Sequence, residues 1–263
     1  MAATYLDSIV AAHRQRAAQD GRDWRQRTIT ASGASFEKAL REHRGLGNAV
    51  IAEVKRSSPS KGALNVDLDP VDLARAYVAG GASAISVLTD VNHFGGSVAD
   101  LVAVRHAVNV PILRKDFTVS VNDVLDTAEM GATCVLLIVA ALTQNELHEF
   151  FHVAREIGLD ALVEVHDELE AARAIEMGAT MIGVNQRDLH TFEVDAERAQ
   201  RVAASLPGDV VRVAESGFHR SSAVKEAAAA GFDAVLVGEA FVTSNDPAAM
   251  VRSFVGFDIG GGW

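Results

Sequence analysis

A short pattern recurs five times in this chain and leaves few architectures open to it. A glycine closes an amphipathic stretch, and an apolar run rich in β-branched residues follows within a few positions. Gly81-Ala-Ser-Ala-Ile-Ser-Val-Leu, Gly131-Ala-Thr-Cys-Val-Leu-Leu-Ile and Gly158-Leu-Asp-Ala-Leu-Val-Glu-Val show it, as do Gly178-Ala-Thr-Met-Ile-Gly-Val and Gly231-Phe-Asp-Ala-Val-Leu-Val-Gly. Glycine suits the left-handed residue that follows a helix C-terminus. Strands that read as nearly continuous apolar runs belong to a sheet covered on both faces. Two more strands enter after prolines, at Pro111-Ile-Leu-Arg-Lys and Pro207-Gly-Asp-Val-Val-Arg-Val.

With the stretch opening at Ile51, the pattern predicts eight strands, near 49–55, 84–89, 111–116, 134–139, 160–166, 181–186, 210–216 and 234–238. The segments between them carry helix starts. Asp69-Pro70 reads as an N-cap with proline at the first helical position, and Thr143/Glu146 and Asp167/Glu170 have capping-box spacing. Ser97, Ser221 and the Pro247 region also read as starts, and Leu147, Phe150, Phe151, Ala154 and Ile157 form a helical stripe. Eight β-α units fit a single (β/α)8 TIM barrel, typically about 250 residues long. A doubly wound open sheet is the alternative, but a Gly-x-Gly-x-x-Gly after the first strand, expected if it bound a dinucleotide, is missing. Residues 1–45 read as an N-terminal helical extension covering an open end, 46–258 as the barrel, and Gly260-Gly261-Gly262-Trp263 within 259–263 as a loose tail.

The chain has 263 residues and a net charge of −11, with no block of basic residues. That argues against nucleic acid or an anionic membrane as partner; an anionic ligand would have to be held by local Lys, Arg and N–H groups. Cys134 is the only cysteine, so no intramolecular disulfide or cysteine-based metal site is available, which suits the cytoplasm. No signal pattern and no apolar run of membrane-spanning length is seen. The histidines are scattered, with no His/Asp/Glu cluster at ligand spacing, so no metal or organic cofactor is expected, and a monomer is.

Catalytic side chains in such a barrel come from the C-terminal ends of strands, and the unusual polar residues gather there. In Ile51-Ala-Glu-Val-Lys-Arg, alternation puts Ile51, Glu53 and Lys55 on one face, and a Ser/Pro/Lys/Gly loop suited to an anion follows. A carboxylate and an ammonium on one face are costly to bury unless they pair or bind something. The third strand ends with Lys115-Asp116-Phe117, the fifth with Glu164 and His166, and the sixth with Asn185 and Arg187. The seventh ends with Glu215-Ser216-Gly217 and the eighth with Gly238-Glu239. Ser216-Gly217 and Gly238-Glu239 stand where such barrels hold a phosphate on backbone N–H groups, provided that the N–H of Glu239, not its side chain, faces the anion.

Glu53-Val-Lys-Arg-Ser-Ser-Pro-Ser-Lys-Gly, Leu113-Arg-Lys-Asp-Phe, Leu162-Val-Glu-Val-His, Gly183-Val-Asn-Gln-Arg-Asp-Leu and Ala214-Glu-Ser-Gly resemble the motifs of indole-3-glycerol-phosphate synthases. So do Thr89-Asp90 with Phe94-Gly95-Gly96-Ser97, and Leu236-Val-Gly-Glu. The resemblance implies a carboxy-lyase of tryptophan biosynthesis that closes the ring of 1-(2-carboxyphenylamino)-1-deoxyribulose 5-phosphate, releasing CO2 and water. It implies Lys115 as general acid, able to give its proton if neighbouring cations and burial lower its pKa. It further implies Glu164 as base, Glu53 close by, and Lys55 as a contact to the anionic groups and a candidate second acid. Ser58, Phe117, Asn185, Arg187, Glu215, Ser216 and Leu236 would contact substrate, with Phe117 on the anthranilate ring and Arg187 gripping a carboxylate. Lys55, Ser216, Gly217, Gly238 and Glu239 would hold phosphate. His166 reads as structural, Asp116 as a loop anchor and Cys134 as core.

Gln186, Phe218, Ala240-Phe241 and Gly62-Ala63-Leu64 depart from the family's usual residues without removing a catalytic group. Two competing readings are a phosphoribosylanthranilate isomerase and a barrel kept as a binding or scaffold subunit. The first would want a Cys–Asp pair at strand ends, whereas Cys134 begins its strand; the second would permit loss of ionisable residues that here remain.

Overall fold

The computed structural model describes residues 5–43, 48–187 and 193–255. Its centre is a closed barrel of eight parallel strands: β1 (Ala49–Val54), β2 (Ala84–Leu88), β3 (Ile112–Lys115), β4 (Cys134–Ile138), β5 (Asp160–Val165), β6 (Met181–Asn185), β7 (Val211–Glu215) and β8 (Ala234–Val237). Each strand pairs with its sequence neighbours, and β1 closes the ring on β8 through Ala49 opposite Ala234 and Ile51 opposite Leu236. The (β/α)8 expectation holds, and every strand lies within two residues of its predicted position.

Strand alternation sorts the residues. Ile51, Leu113, Leu136, Leu162, Val213 and Leu236 point inward and pack together in the barrel interior. Their neighbours in sequence, such as Ala52, Val135, Val163 and Val235, point outward into a second apolar layer under the helices. Those helices are α3 (Pro70–Ala79), α4 (Val98–Ala107), α5 (Val121–Glu129), α6 (Gln144–Glu156), α7 (Glu168–Met177), α8 (Ala196–Ser205), α9 (Ser221–Ala229) and α10 (Pro247–Val255), preceded by α1 (Tyr5–Ala18) and α2 (Phe36–Arg41).

Gly81, Gly131, Gly158, Gly178 and Gly231 all adopt positive φ, between 81° and 96°, as their place after a helix required. Asp69, Ser97 and Thr143 cap as expected, and Thr143 with Glu146 makes the full capping box. At α7 the expected box is only half made. Asp167 accepts from the Glu170 N–H, but the Glu170 carboxylate reaches past the cap to His166. Ser221 is the first residue of α9, and the N-cap is Arg220, without a side-chain bond.

The two N-terminal helices go to opposite ends of the barrel. Phe36 and Leu40 of α2, both fully buried, join the interior cluster beside Ala49 and Ala234 at the start of the strands. This helix is the cover for an open end that the sequence led us to expect. Helix α1 lies over the other end, where Leu6 and Ile9 face a cavity. Arg14 fixes it by two bonds to Glu146, at 2.6 and 3.0 Å, and one to the Ala141 carbonyl at 3.1 Å. The boundary drawn at 45/46 and the Gly-rich tail lie outside the described residues.

Two stability measurements follow. Phe36→Ala is expected to lower unfolding free energy in a urea titration by about 3–5 kcal/mol, the usual cost of an aromatic-sized hole. At Gly178, φ is +88° and nothing lies within 4 Å of an added methyl. Gly178→Ala should therefore cost only the left-handed backbone penalty, about 1–2 kcal/mol.

Candidate active site

Period-two alternation carries the inward face of each strand up to the C-terminal mouth, where apolar residues give way to ionisable ones. Glu53 follows Ile51 on β1, Lys115 follows Leu113 on β3, and Glu164 follows Leu162 on β5. Asn185 ends β6 and Glu215 follows Val213 on β7. One cavity is lined by all of these, and by Lys55, Ser58, Phe117, Arg187, Ser216, Gly217, Leu236, Gly238 and Glu239. The fold thus brings every site residue expected from sequence to one place. Asp188 and Leu189 of the sixth-strand motif lie outside the described residues.

The charges are arranged around two ammonium groups. Lys115 Nζ sits 2.7 Å from Glu164 Oε2 and 3.3 Å from Glu215 Oε2. Lys55 Nζ lies 2.7 Å from Glu53 Oε1. Asn185 Nδ2 donates to Glu164 Oε1 at 3.1 Å, and its own Oδ1 accepts from Ser216 Oγ and the Arg187 N–H. Asn185 therefore ties β5, β6 and the loop after β7 together. Two bare positions make the room. A Cβ at Gly183 would stand 2.1 Å from Glu215 Oε1, and one at Gly238 would stand 2.6 Å from Glu53 Oε1 and 3.0 Å from Lys55 Nζ.

Burial and neighbours set the protonation states. Burial alone would discharge Lys115, but the carboxylates of Glu164, Glu215 and Glu53 outweigh it and hold the pKa above the ordinary lysine value. This corrects the expectation that cations around Lys115 depress its pKa: the groups around its ammonium are carboxyl groups, with Glu164 the nearest. Burial opposes ionisation of Glu164, yet Lys115 and His166 prevail and keep it below the usual carboxylate range. Glu215 goes the other way. Burial, only partly offset by Lys115 and reinforced by Glu164 and Glu53, pushes it up to about 8. Two neighbouring carboxylates have been driven apart, one ionised and one neutral near pH 7, a division that suits acid–base work.

The side of the cavity after β7 and β8 is built from backbone. Ser216 and Gly217 are consecutive left-handed residues, with φ of 70° and 81°, that turn the chain sharply after β7. Gly238 begins a one-turn helix, Glu239–Val242, after β8. The Glu239 carboxylate lies 3.5 Å from Lys61 Nζ, so its side chain is engaged by the loop after β1.

Other residues behave as the sequence implied, with exceptions. Asp116 anchors its loop, accepting from Thr89, Arg114 and the Phe117 N–H, and Cys134 is core. The contribution of α1 was not foreseen: Tyr5, Leu6 and Ile9 line the cavity. Spacing held the signal, since Leu6, Ile9 and His13 share a helical face and His13 is 3% exposed. His13 Nε2 lies 3.0 Å from Asp90 Oδ2, and its ring packs 5.2 Å from that of Phe117. The fold also gathers His13, Asp90 and Asp116 into a trio whose ligand atoms lie within 4.8 Å of one another, which linear spacing could not reveal. Its atoms already serve the hydrogen bonds just described and that of the His93 N–H to Asp90.

Comparison with known proteins agrees with this arrangement. Residues 4–254 match the family model described as indole-3-glycerol phosphate synthase. A protein of that name from Nocardioides sp. is 53% identical over 215 residues, 82% of this chain and 83% of the relative. One from Rhodococcus opacus is 48% identical over 255 residues, 96% and 95% of the two chains. Among solved structures, a thiamine phosphate pyrophosphorylase from Pyrococcus furiosus superimposes with a TM-score of 0.60 at 17% identity, covering 84% of this chain and 96% of that one. That likeness concerns the fold alone. With a model spanning nearly the whole sequence and close relatives of matching length, the chain belongs to the indole-3-glycerol phosphate synthase family.

Proposed function

We propose that this chain is an indole-3-glycerol-phosphate synthase, a carboxy-lyase of tryptophan biosynthesis. It closes the ring of 1-(2-carboxyphenylamino)-1-deoxyribulose 5-phosphate with loss of CO2 and water. The observation that carries the reading is the convergence of Lys55, Lys115, Glu53 and Glu164 in one cavity beside the Ser216-Gly217 turn.

The substrate is a carboxylate at one end and a phosphate at the other, and its ring carbon must attack a ketone. Lys115, which lines the cavity, donates the proton to the developing alkoxide. Its ion pair with Glu164 holds that proton ready, and an arriving anionic substrate competes with that carboxylate for the ammonium. After CO2 departs, dehydration needs an acid at the leaving hydroxyl and a base for a ring proton. Glu164 takes the base role, with Glu53 close to the same chemistry, and Lys55 serves as the candidate second acid. Asn185 orients Glu164, and Glu215, neutral below about 8, offers a donor to the sugar hydroxyls. Ser216, Gly217, Gly238 and the Glu239 N–H form the phosphate cradle, helped by Lys55. Phe117, Leu236 and Ser58 contact the substrate body, and Arg187 takes the carboxylate.

No helix among the described residues is long and apolar enough to cross a membrane. A cytoplasmic monomer fits the reading, since one chain supplies every group named.

Formation of the indole product, followed by fluorescence, tests the assignment. Lys115→Met should lower kcat by about a thousandfold, the range for removing a general acid. Because it also leaves Glu164 buried without its nearest cation, the thermal midpoint should fall, and kcat is read on protein shown to be folded at the assay temperature. Retention of activity would refute the role. The second expectation concerns pH. The Glu215 pKa is raised, so the neutral form persists until about 8 and ionisation above that adds an anion to the substrate site. Because kcat/KM reports groups of the free enzyme, it should fall as pH rises through about 8. Glu215→Gln, which cannot ionise, should abolish that step.

A further inference from the structure

His166 takes no part in the chemistry assigned above, yet it is buried between two carboxylates, one of them the assigned base. Its Nδ1 lies 2.9 Å from Glu170 Oε2, and its Nε2 lies 3.4 Å from Glu164 Oε1. The same Glu170 oxygen accepts the His166 backbone N–H at 2.8 Å. This is where the N3 glutamate of α7 goes instead of completing its capping box: it fixes the imidazole from behind. Ionised carboxylates only accept hydrogen bonds, so a ring facing one on each side satisfies both only with a proton on each nitrogen. The Nε2 atom is buried and makes no hydrogen bond of good geometry, leaving its charge directed at Glu164. Burial opposes that charge, but Glu164 and Glu170 overcome it and raise the His166 pKa to about 10.

We propose that His166, clamped by Glu170, is a positioning residue for the base Glu164, holding its carboxylate ionised and aimed into the cavity. The inference rests on the reading of Glu164 as the base of the ring-forming reaction. Glu164 has four polar neighbours to consider. Lys115 of β3 holds Oε2, and Asn185 of β6, which is neutral, donates to Oε1. Glu215 of β7 shares Lys115 with it, and His166 is the second cation. On the β4 side its register partner is the apolar Ile138. Lys115 is committed to proton donation in the first step and so cannot anchor Glu164 throughout turnover. His166 and Glu170 stand behind the cavity and are free to do so. A purely structural histidine, tying the end of β5 to α7, would affect folding but not the titration of Glu164.

The test uses the full chain and compares wild type with His166→Gln and Glu170→Gln, reading kcat, KM and the pH dependence of kcat by indole fluorescence. The range is about pH 3 to 9, so that the window reaches below the ordinary carboxylate range, on protein shown to be folded at each pH. Loss of the imidazolium raises the Glu164 pKa, so the acid limb of kcat should move to higher pH by about one unit. At neutral pH, kcat should fall about tenfold or more, with KM within about threefold of wild type. Glu170→Gln should move the limb in the same direction by less. A lower thermal midpoint with an unmoved limb and unchanged kcat would overturn the proposal. If His166→Gln fails to fold, Glu170→Gln decides on the same criterion. Wild-type protein that forms no indole product would instead overturn the reaction assignment, and this inference with it.

Discussion

The ammonium of Lys115, shared between Glu164 and Glu215, is the contact around which the mouth of the barrel is organised. None of these groups could be buried alone, because desolvating a charge costs several kcal/mol that only close partners return. Pairing them makes burial tolerable, and their unequal surroundings leave Glu164 ionised and Glu215 neutral near pH 7. The cluster also dictates sequence elsewhere. Gly183 and Gly238 lack side chains because carboxylate oxygens occupy the space a Cβ would take. Asn185 must bridge Glu164 to the Ser216 turn. A chain of net charge −11 thus presents Lys55 and Lys115 inside its cavity.

Much of this was legible in the sequence, for identifiable reasons. The recurring glycines marked helix ends because a left-handed residue is required there, and all five are left-handed. Apolar strands marked a covered parallel sheet, and alternation then told which residues share a face, so the placing of Ile51, Glu53 and Lys55 together follows from the sequence alone. Lys115, Glu164 and Glu215 were legible because polar residues at the ends of otherwise apolar strands have few structural uses.

What could not be read depends on contacts between distant segments. Lowering of the Lys115 pKa by neighbouring cations and burial is not what the fold delivers: burial acts that way, but carboxyl groups from other strands outweigh it. The trio of His13, Asp90 and Asp116 joins α1 to the loops after β2 and β3, and no linear spacing encodes that. Glu170 had the spacing of a capping box and bonded one residue further back, because a buried imidazole offered it a second donor. In each case local pattern gave the residue and tertiary geometry chose its partner.

Helix α2 closes the barrel at the pole opposite the reactive cluster, with Phe36 and Leu40 as a hydrophobic stopper. Robustness and turnover are thereby housed at separate ends of one scaffold. Adaptation to heat can proceed by refining the stopper and its surroundings while the chemistry stays untouched, and drift in the chemistry need not loosen the scaffold. A lineage built this way escapes much of the usual antagonism between durability and speed.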